Sequence, residues 1–151
     1  MKMVFDHSES AKKMCASIRD SSNSGKIDDM DFYYYCALIG FKYQLLGDPN
    51  TKLIEFSKSY TKAYSRTRYL IAALMIDAEL KRTGQNLSKD NISSMFSKYL
   101  DSNDNVLKPE GVALLNRYSQ GGFEYLLNNA SSMTDSFQFI RTCVKLINGN
   151  D

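Results

Sequence analysis

The run Phe32-Tyr33-Tyr34-Tyr35-Cys36-Ala37-Leu38-Ile39 constrains this chain more than any other segment. A helix built on it is apolar or aromatic on nearly every face, so other elements must enclose it. It follows Asp28, Asp29 and Asp31, which favour the first turn of a helix, and precedes Gly40, a residue that favours a helix end. A helix from about Asp28 to Gly40 is therefore expected at the centre of the molecule. Its tyrosines have two readings, as core or as rings projecting into a partner interface.

With 151 residues, the chain is long enough to surround that helix with one core, and it is read as a single domain over 1–151 with frayed ends at about 1–6 and 148–151. Only Pro49 and Pro109 interrupt it, and few segments show the alternation of strands. The expected fold class is all-α, a compact multi-helix bundle of six or seven helices.

The first helix runs from about Ser8 to Asp20, with Ala11, Met14, Cys15 and Ile18 on one face. After the Gly47-Asp48-Pro49-Asn50 turn, Leu53, Phe56, Tyr60, Ala63, Thr67, Ile71, Leu74 and Ala78 follow steps of three and four, which predicts one long central helix over 51–82. Shorter helices are expected at about Ser88–Leu100, Pro109–Tyr118, Phe123–Asn129 and Asp135–Ile147. Asp6 or Ser8, Ser88, Pro109, and Thr134 or Asp135 suit helix starts.

The net charge of +2 is unevenly spread, because residues 41–82 hold eight basic groups against four acidic ones. Lys58, Lys62 and Arg66 recur every fourth position with Arg68 beside them, so a 51–82 helix lines them along one edge. That edge reads as a solvated face or as a contact for phosphate or an acidic partner surface, with Tyr60, Tyr64 and Tyr69 interleaved.

Chemistry-bearing motifs are sparse. His7 is the single histidine and has no nearby sequence partner, which argues against Ser/His/Asp or Cys/His catalysis. Cys15, Cys36 and Cys143 are scattered and form no CxxC pair, so they read as buried thiols in a reducing compartment rather than as zinc ligands. Asp101-Ser102-Asn103-Asp104-Asn105 imitates the start of a calcium loop, then places Val106 where the turn needs glycine and Val112 where a glutamate closes the site. Gly121-Gly122 lacks the lysine of a nucleotide-binding loop. No catalytic residue, cofactor or metal is expected. No apolar run reaches the roughly 18 residues of a membrane span, and Asp6, His7 and Glu9 interrupt what a signal peptide would need, so a cytoplasmic protein is expected.

Two segments carry a family resemblance. Phe-Tyr-Tyr-Tyr-Cys-Ala-Leu-Ile-Gly-Phe-Lys, from Phe32 to Lys42, and Tyr-Ser-Gln-Gly-Gly-Phe-Glu-Tyr-Leu, from Tyr118 to Leu126, resemble in order and separation the motifs of small proteins associated with bacterial dnd (DNA phosphorothioation) defence systems. Gly40, Phe41, Tyr118, Gly121, Gly122 and Phe123 are the motif residues, all with structural duties. The resemblance implies a non-enzymatic accessory or adaptor subunit of a bacterial anti-phage system, working beside larger ATPase or nuclease components and naming no catalytic residue. The contact candidates are Tyr33, Tyr34, Lys58, Lys62, Arg66 and Arg68. The alternative is a helical protein that binds DNA or RNA through the basic edge.

Overall fold

A computed structural model describes residues 3–130 and 132–149. Its elements follow in the order β1 (Phe5–Ser8), α1 (Glu9–Asp20), α2 (Asp29–Tyr43), β2 (Leu53–Ser57), α3 (Arg68–Arg82), α4 (Lys89–Tyr99), α5 (Pro109–Asn129) and α6 (Ser136–Asn148). Local chemistry sets most helix starts. Ser8 accepts a hydrogen bond from the Ala11 N–H, Ser88 from Asn91 and Asp135 from Gln138. Asp28 and Asp31 cap one another's backbone reciprocally at 2.8 and 2.9 Å, and caps of this kind each contribute about 1 kcal/mol.

The all-α expectation is corrected by a two-stranded antiparallel sheet. β1 pairs with β2 in the register Asp6 with Glu55, His7 with Ile54 and Ser8 with Leu53, with an irregularity between Phe5 and Asp6. The long 51–82 helix is therefore replaced by a strand, a series of turns over 58–67 and the shorter α3. Leu53-Ile54-Glu55-Phe56-Ser57 satisfies a helical stripe by coincidence. Its branched and aromatic side chains also suit a strand, and the distant partner β1 decides the matter. Ala63, placed on the expected core stripe, is exposed.

Two further boundaries moved for one reason. α5 runs unbroken through Gly121 and Gly122, where two helices were expected, and α2 continues three residues past Gly40. α2 and α5 share the most extensive contact between elements. At their crossing, a Cβ on Gly40 would overlap the Tyr118 carbonyl oxygen, and one on Gly122 would overlap that of Cys36. The Leu45 carbonyl occupies the equivalent space over Gly121. Close packing thus outweighs the roughly 1 kcal/mol that each glycine costs in a helix interior.

α2 is enclosed on both sides, as its composition requires. Tyr33, Ala37 and Phe41 join a cluster with Phe5, Met75, Leu80, Leu115 and Tyr118. Phe32, Cys36 and Ile39 join a second with Cys15, Ile18, Phe123, Phe139 and Cys143. Asn116 of α5 fastens the sheet to this frame: it accepts from the Asp6 N–H and the Tyr33 hydroxyl and donates to the Val4 carbonyl. No helix among the described residues is long and apolar enough to cross a membrane.

Gly122→Ala is expected to cost about 3 kcal/mol, because the added methyl meets backbone that cannot retreat. Gly84→Ala, at φ +72 with no neighbouring atom in reach, should cost only the roughly 1–2 kcal/mol of left-handed backbone. Urea midpoints measure both.

Candidate functional site

The basic segment between β2 and α3 is held by side chains that turn inward. Tyr60 is buried with its ring 4.8 Å from that of Phe5. The Tyr64 ring lies 5.0 Å from that of Tyr34, and its hydroxyl donates to the Asp31 carboxylate. Asn105 Nδ2 donates to the Lys58 carbonyl at 3.1 Å, and Ser65 Oγ to that of Lys62 at 2.9 Å. Backbone bonds from Tyr64 to Thr61 and from Thr67 to Tyr64 complete the turns.

The cations point the other way. Lys58, Lys62 and Arg66 are exposed and Arg68 is half-buried. Lys58, Lys62 and Arg66 lie on turns and Arg68 is the first residue of α3, so they do not share a helix edge and the fourfold spacing has no geometric meaning here. None of the four forms an ion pair within 4 Å among the described residues. Arg68 sits 5.3 Å from the centre of the Tyr69 ring, and Tyr69 is 64% exposed with Leu70 also exposed beside it. α3 begins at this point with no side-chain cap and no acidic residue in its first turn, which leaves the positive end of its dipole uncompensated. The surface combines exposed cations, one arginine-tyrosine pair and an open helix start.

The aromatic candidates divide. Tyr33 is 2% exposed, its hydroxyl is bonded to Asn116 at 2.6 Å, and burial pushes its phenol well above the ordinary value. It belongs to the core and offers nothing to a partner. Tyr34 is half-buried against Tyr64 and supports the basic segment from below. The motif residues come together at the α2–α5 crossing: Gly40 over Tyr118, the Phe41 ring 5.2 Å from that of Tyr118, and Phe123 against Phe32.

Other polar groups near the core are engaged structurally. Cys15 is fully buried, receives a hydrogen bond from Arg19 at 3.2 Å, and has its thiol pushed up to about 12 by burial. Such a thiol carries almost no thiolate at neutral pH. Around 101–107, Val106 adopts φ +65, the Asn105 N–H donates to Asn103 Oδ1, and Asn103 Nδ2 donates to the Leu107 carbonyl. Asn103 Oδ1 and, through the Ser102 N–H, Asp101 Oδ1 are thereby bonded within the loop. No group of three or more His, Cys, Asp or Glu residues among those described is arranged to hold a metal ion.

Sequence reasoning missed Glu79. It is 3% exposed and accepts from Arg82 at 2.6 and 3.0 Å and from the Tyr118 hydroxyl at 2.9 Å. Burial alone would raise its carboxyl, but the bonds from Arg82 and Tyr118 outweigh that effect and hold it below the usual range. The signal was present: Glu79 continues the buried spacing of Ala72, Met75 and Ile76. No protein-family model matches the chain, and no characterised protein or solved structure matches it.

His7 supplies a pH-dependent term. It is 4% exposed, its ring lies 4.5 Å from that of Phe56, and neither ring nitrogen has a hydrogen-bond partner. Burial lowers its pKa, more than Asp29 raises it. Above 6.5 the imidazole is neutral folded or unfolded; below 6.5 the unfolded chain takes up a proton that the folded chain refuses, so stability falls until the folded pKa is reached. His7→Leu should flatten that decline in urea titrations between neutral pH and pH 5.

Proposed function

We propose that the protein is a non-enzymatic accessory subunit of a bacterial DNA-targeting defence system and that the 58–70 surface is its contact with a larger ATPase or nuclease component. The observation that carries the contact is the set of outward cations, Lys58, Lys62 and Arg66, with the half-buried Arg68 beside them, all without carboxylate partners among the described residues on a segment anchored by inward tyrosines. Tyr69 and Leu70 add exposed aromatic and apolar area, and arginine and tyrosine are, with tryptophan, the residues enriched where binding energy concentrates at protein interfaces. An acidic patch on the partner is the complementary surface. The defence setting rests on the resemblance of the two motif segments. Buried free thiols at Cys15, Cys36 and Cys143 suit a cytoplasmic location.

A second reading is favoured by one observation. The uncapped start of α3 beside Arg66 and Arg68 is suited to phosphate, so the same surface would track a DNA backbone.

One set of variants separates the two. Lys58→Glu, Lys62→Glu and Arg66→Glu together should leave helicity and thermal midpoint unchanged, since all three side chains are exposed. In the subunit reading, co-purification with the neighbouring ATPase or nuclease is lost, with the association rate falling about tenfold or more. In the DNA reading, the wild type binds duplex DNA with a salt dependence that loses roughly one unit of slope per cation removed. Wild-type protein that binds neither component at low salt would refute both.

A further inference from the structure

Buried polar atoms without partners gather in one region. Both ring nitrogens of His7, the Tyr60 hydroxyl, Thr61 Oγ1 and Arg68 Nε are shielded from water and make no hydrogen bond. All lie in β1 or between the end of β2 and the first residue of α3. α2, despite its consecutive tyrosines, leaves no such atom among the described residues. Each stranded atom has given up its bonds to water without replacement and regains them when its surroundings open. The region is also lightly held. β2 has no buried residue along its length, and the segment after it is fastened by Tyr60 on Phe5, Tyr64 on Tyr34 and Asp31, and Asn105 on the Lys58 carbonyl. α2 and α5, by contrast, meet backbone against backbone.

His7 makes this region responsive to acid. It stands opposite Ile54 with its ring against Phe56, so β2 covers it. Two charged groups act on it in opposite directions, Asp29 from α2 and Lys12 from α1. Around the rest of the strand, Glu9 of α1 pairs with Lys13, and Glu55 of β2 lies opposite Asp6 on the other face of the ribbon. α5 arrives with the uncharged Asn116. An imidazolium under β2 therefore has no acceptor for either N–H, whereas water supplies both once β2 lifts.

We propose that residues 53–67 form an acid-released flap, which lifts as one unit from β1 and the helices beneath while α2 and α5 stay folded, with protonation of His7 driving the opening. Openings of this partial kind draw on the parts of a fold with few buried apolar contacts. Below 6.5 the lifted form gains a proton that the closed form refuses, so its population rises about tenfold per pH unit until the closed form also titrates. The flap carries Lys58, Lys62 and Arg66, and lifting frees them from the inward tyrosines that fix their display. The basic surface thus has a set shape near neutral pH and loses it in acid. The opening is a property of this chain alone, so it holds or fails separately from the reading of that surface as a subunit contact.

The test is hydrogen exchange of the full chain in low urea, read by mass spectrometry at about pH 7.5 and about pH 5.5 and corrected for the intrinsic effect of pH on exchange. At the higher pH, amides of 53–67 are expected to open about tenfold or more as often as those of α2 and α5, with a weaker dependence on urea. At the lower pH that opening should rise several-fold, up to about tenfold, and His7→Leu should remove the rise. Tyr60→Phe and Thr61→Val leave the imidazole alone. Each removes an unpartnered hydroxyl while keeping the shape of the side chain, so each should make opening rarer by about fivefold or more. Exchange of 53–67 at the rate and urea dependence of α2 and α5 would overturn the proposal. So would the lack of a rise in acid, a rise that survives His7→Leu, or opening that is unchanged or more frequent in both hydroxyl variants.

Discussion

The close approach of α2 and α5 is the constraint on which everything else rests. Gly40, Gly121 and Gly122 give up side chains so that carbonyl oxygens of Tyr118, Leu45 and Cys36 can lie against the opposing backbone. Because the helices are so near, Tyr33 reaches Asn116 and Ser119 Oγ reaches the Tyr33 carbonyl at 3.0 Å. These bonds satisfy polar groups that would otherwise be stranded between two apolar clusters. The clusters then form on either side of α2, one receiving β1, α3 and α4, the other α1 and α6.

Polar groups around that axis are spent on fastening. Glu79, Arg82 and Tyr118 bind α3 to α5, while Ser22 and Ser136 tie the end of α1 to the start of α6 at 2.8 Å. Buried ion pairs are weak sources of stability compared with apolar packing, so the Glu79 network is better understood as fixing how α3 sits. α3 in turn presents Arg68, Tyr69 and Leu70 at its outer end. The surface that the sequence marks with cations is thereby carried on a rigid support rather than on a free loop.

What could be read from the sequence follows the range of the forces involved. Asp28, Ser88 and Pro109, with Asp6 or Ser8 and Thr134 or Asp135, mark helix starts because start signals act over a few neighbouring residues, and those helices begin where expected. β1 and β2 escaped notice because a four-residue strand such as Phe5-Asp6-His7-Ser8 means little without its partner. Gly40 and the Gly121-Gly122 pair look like helix ends until the opposing backbone is seen. The cations of the basic segment were legible as composition. Their outward display was not, since it depends on Tyr60, Tyr64 and Asn105 gripping distant elements.

Asn116 has a temporal consequence. Its side-chain amide imitates a peptide group, accepting from Asp6 and donating to Val4, so it extends the sheet by one rung from a helix. That rung lies 110 residues beyond Asp6. In the growing chain β2, Tyr33 and Tyr60 are available to β1 before α5 is, so the rung that Asn116 supplies is the last of these contacts to form. Docking of the sheet onto the helical frame is therefore completed only when α5 closes on it.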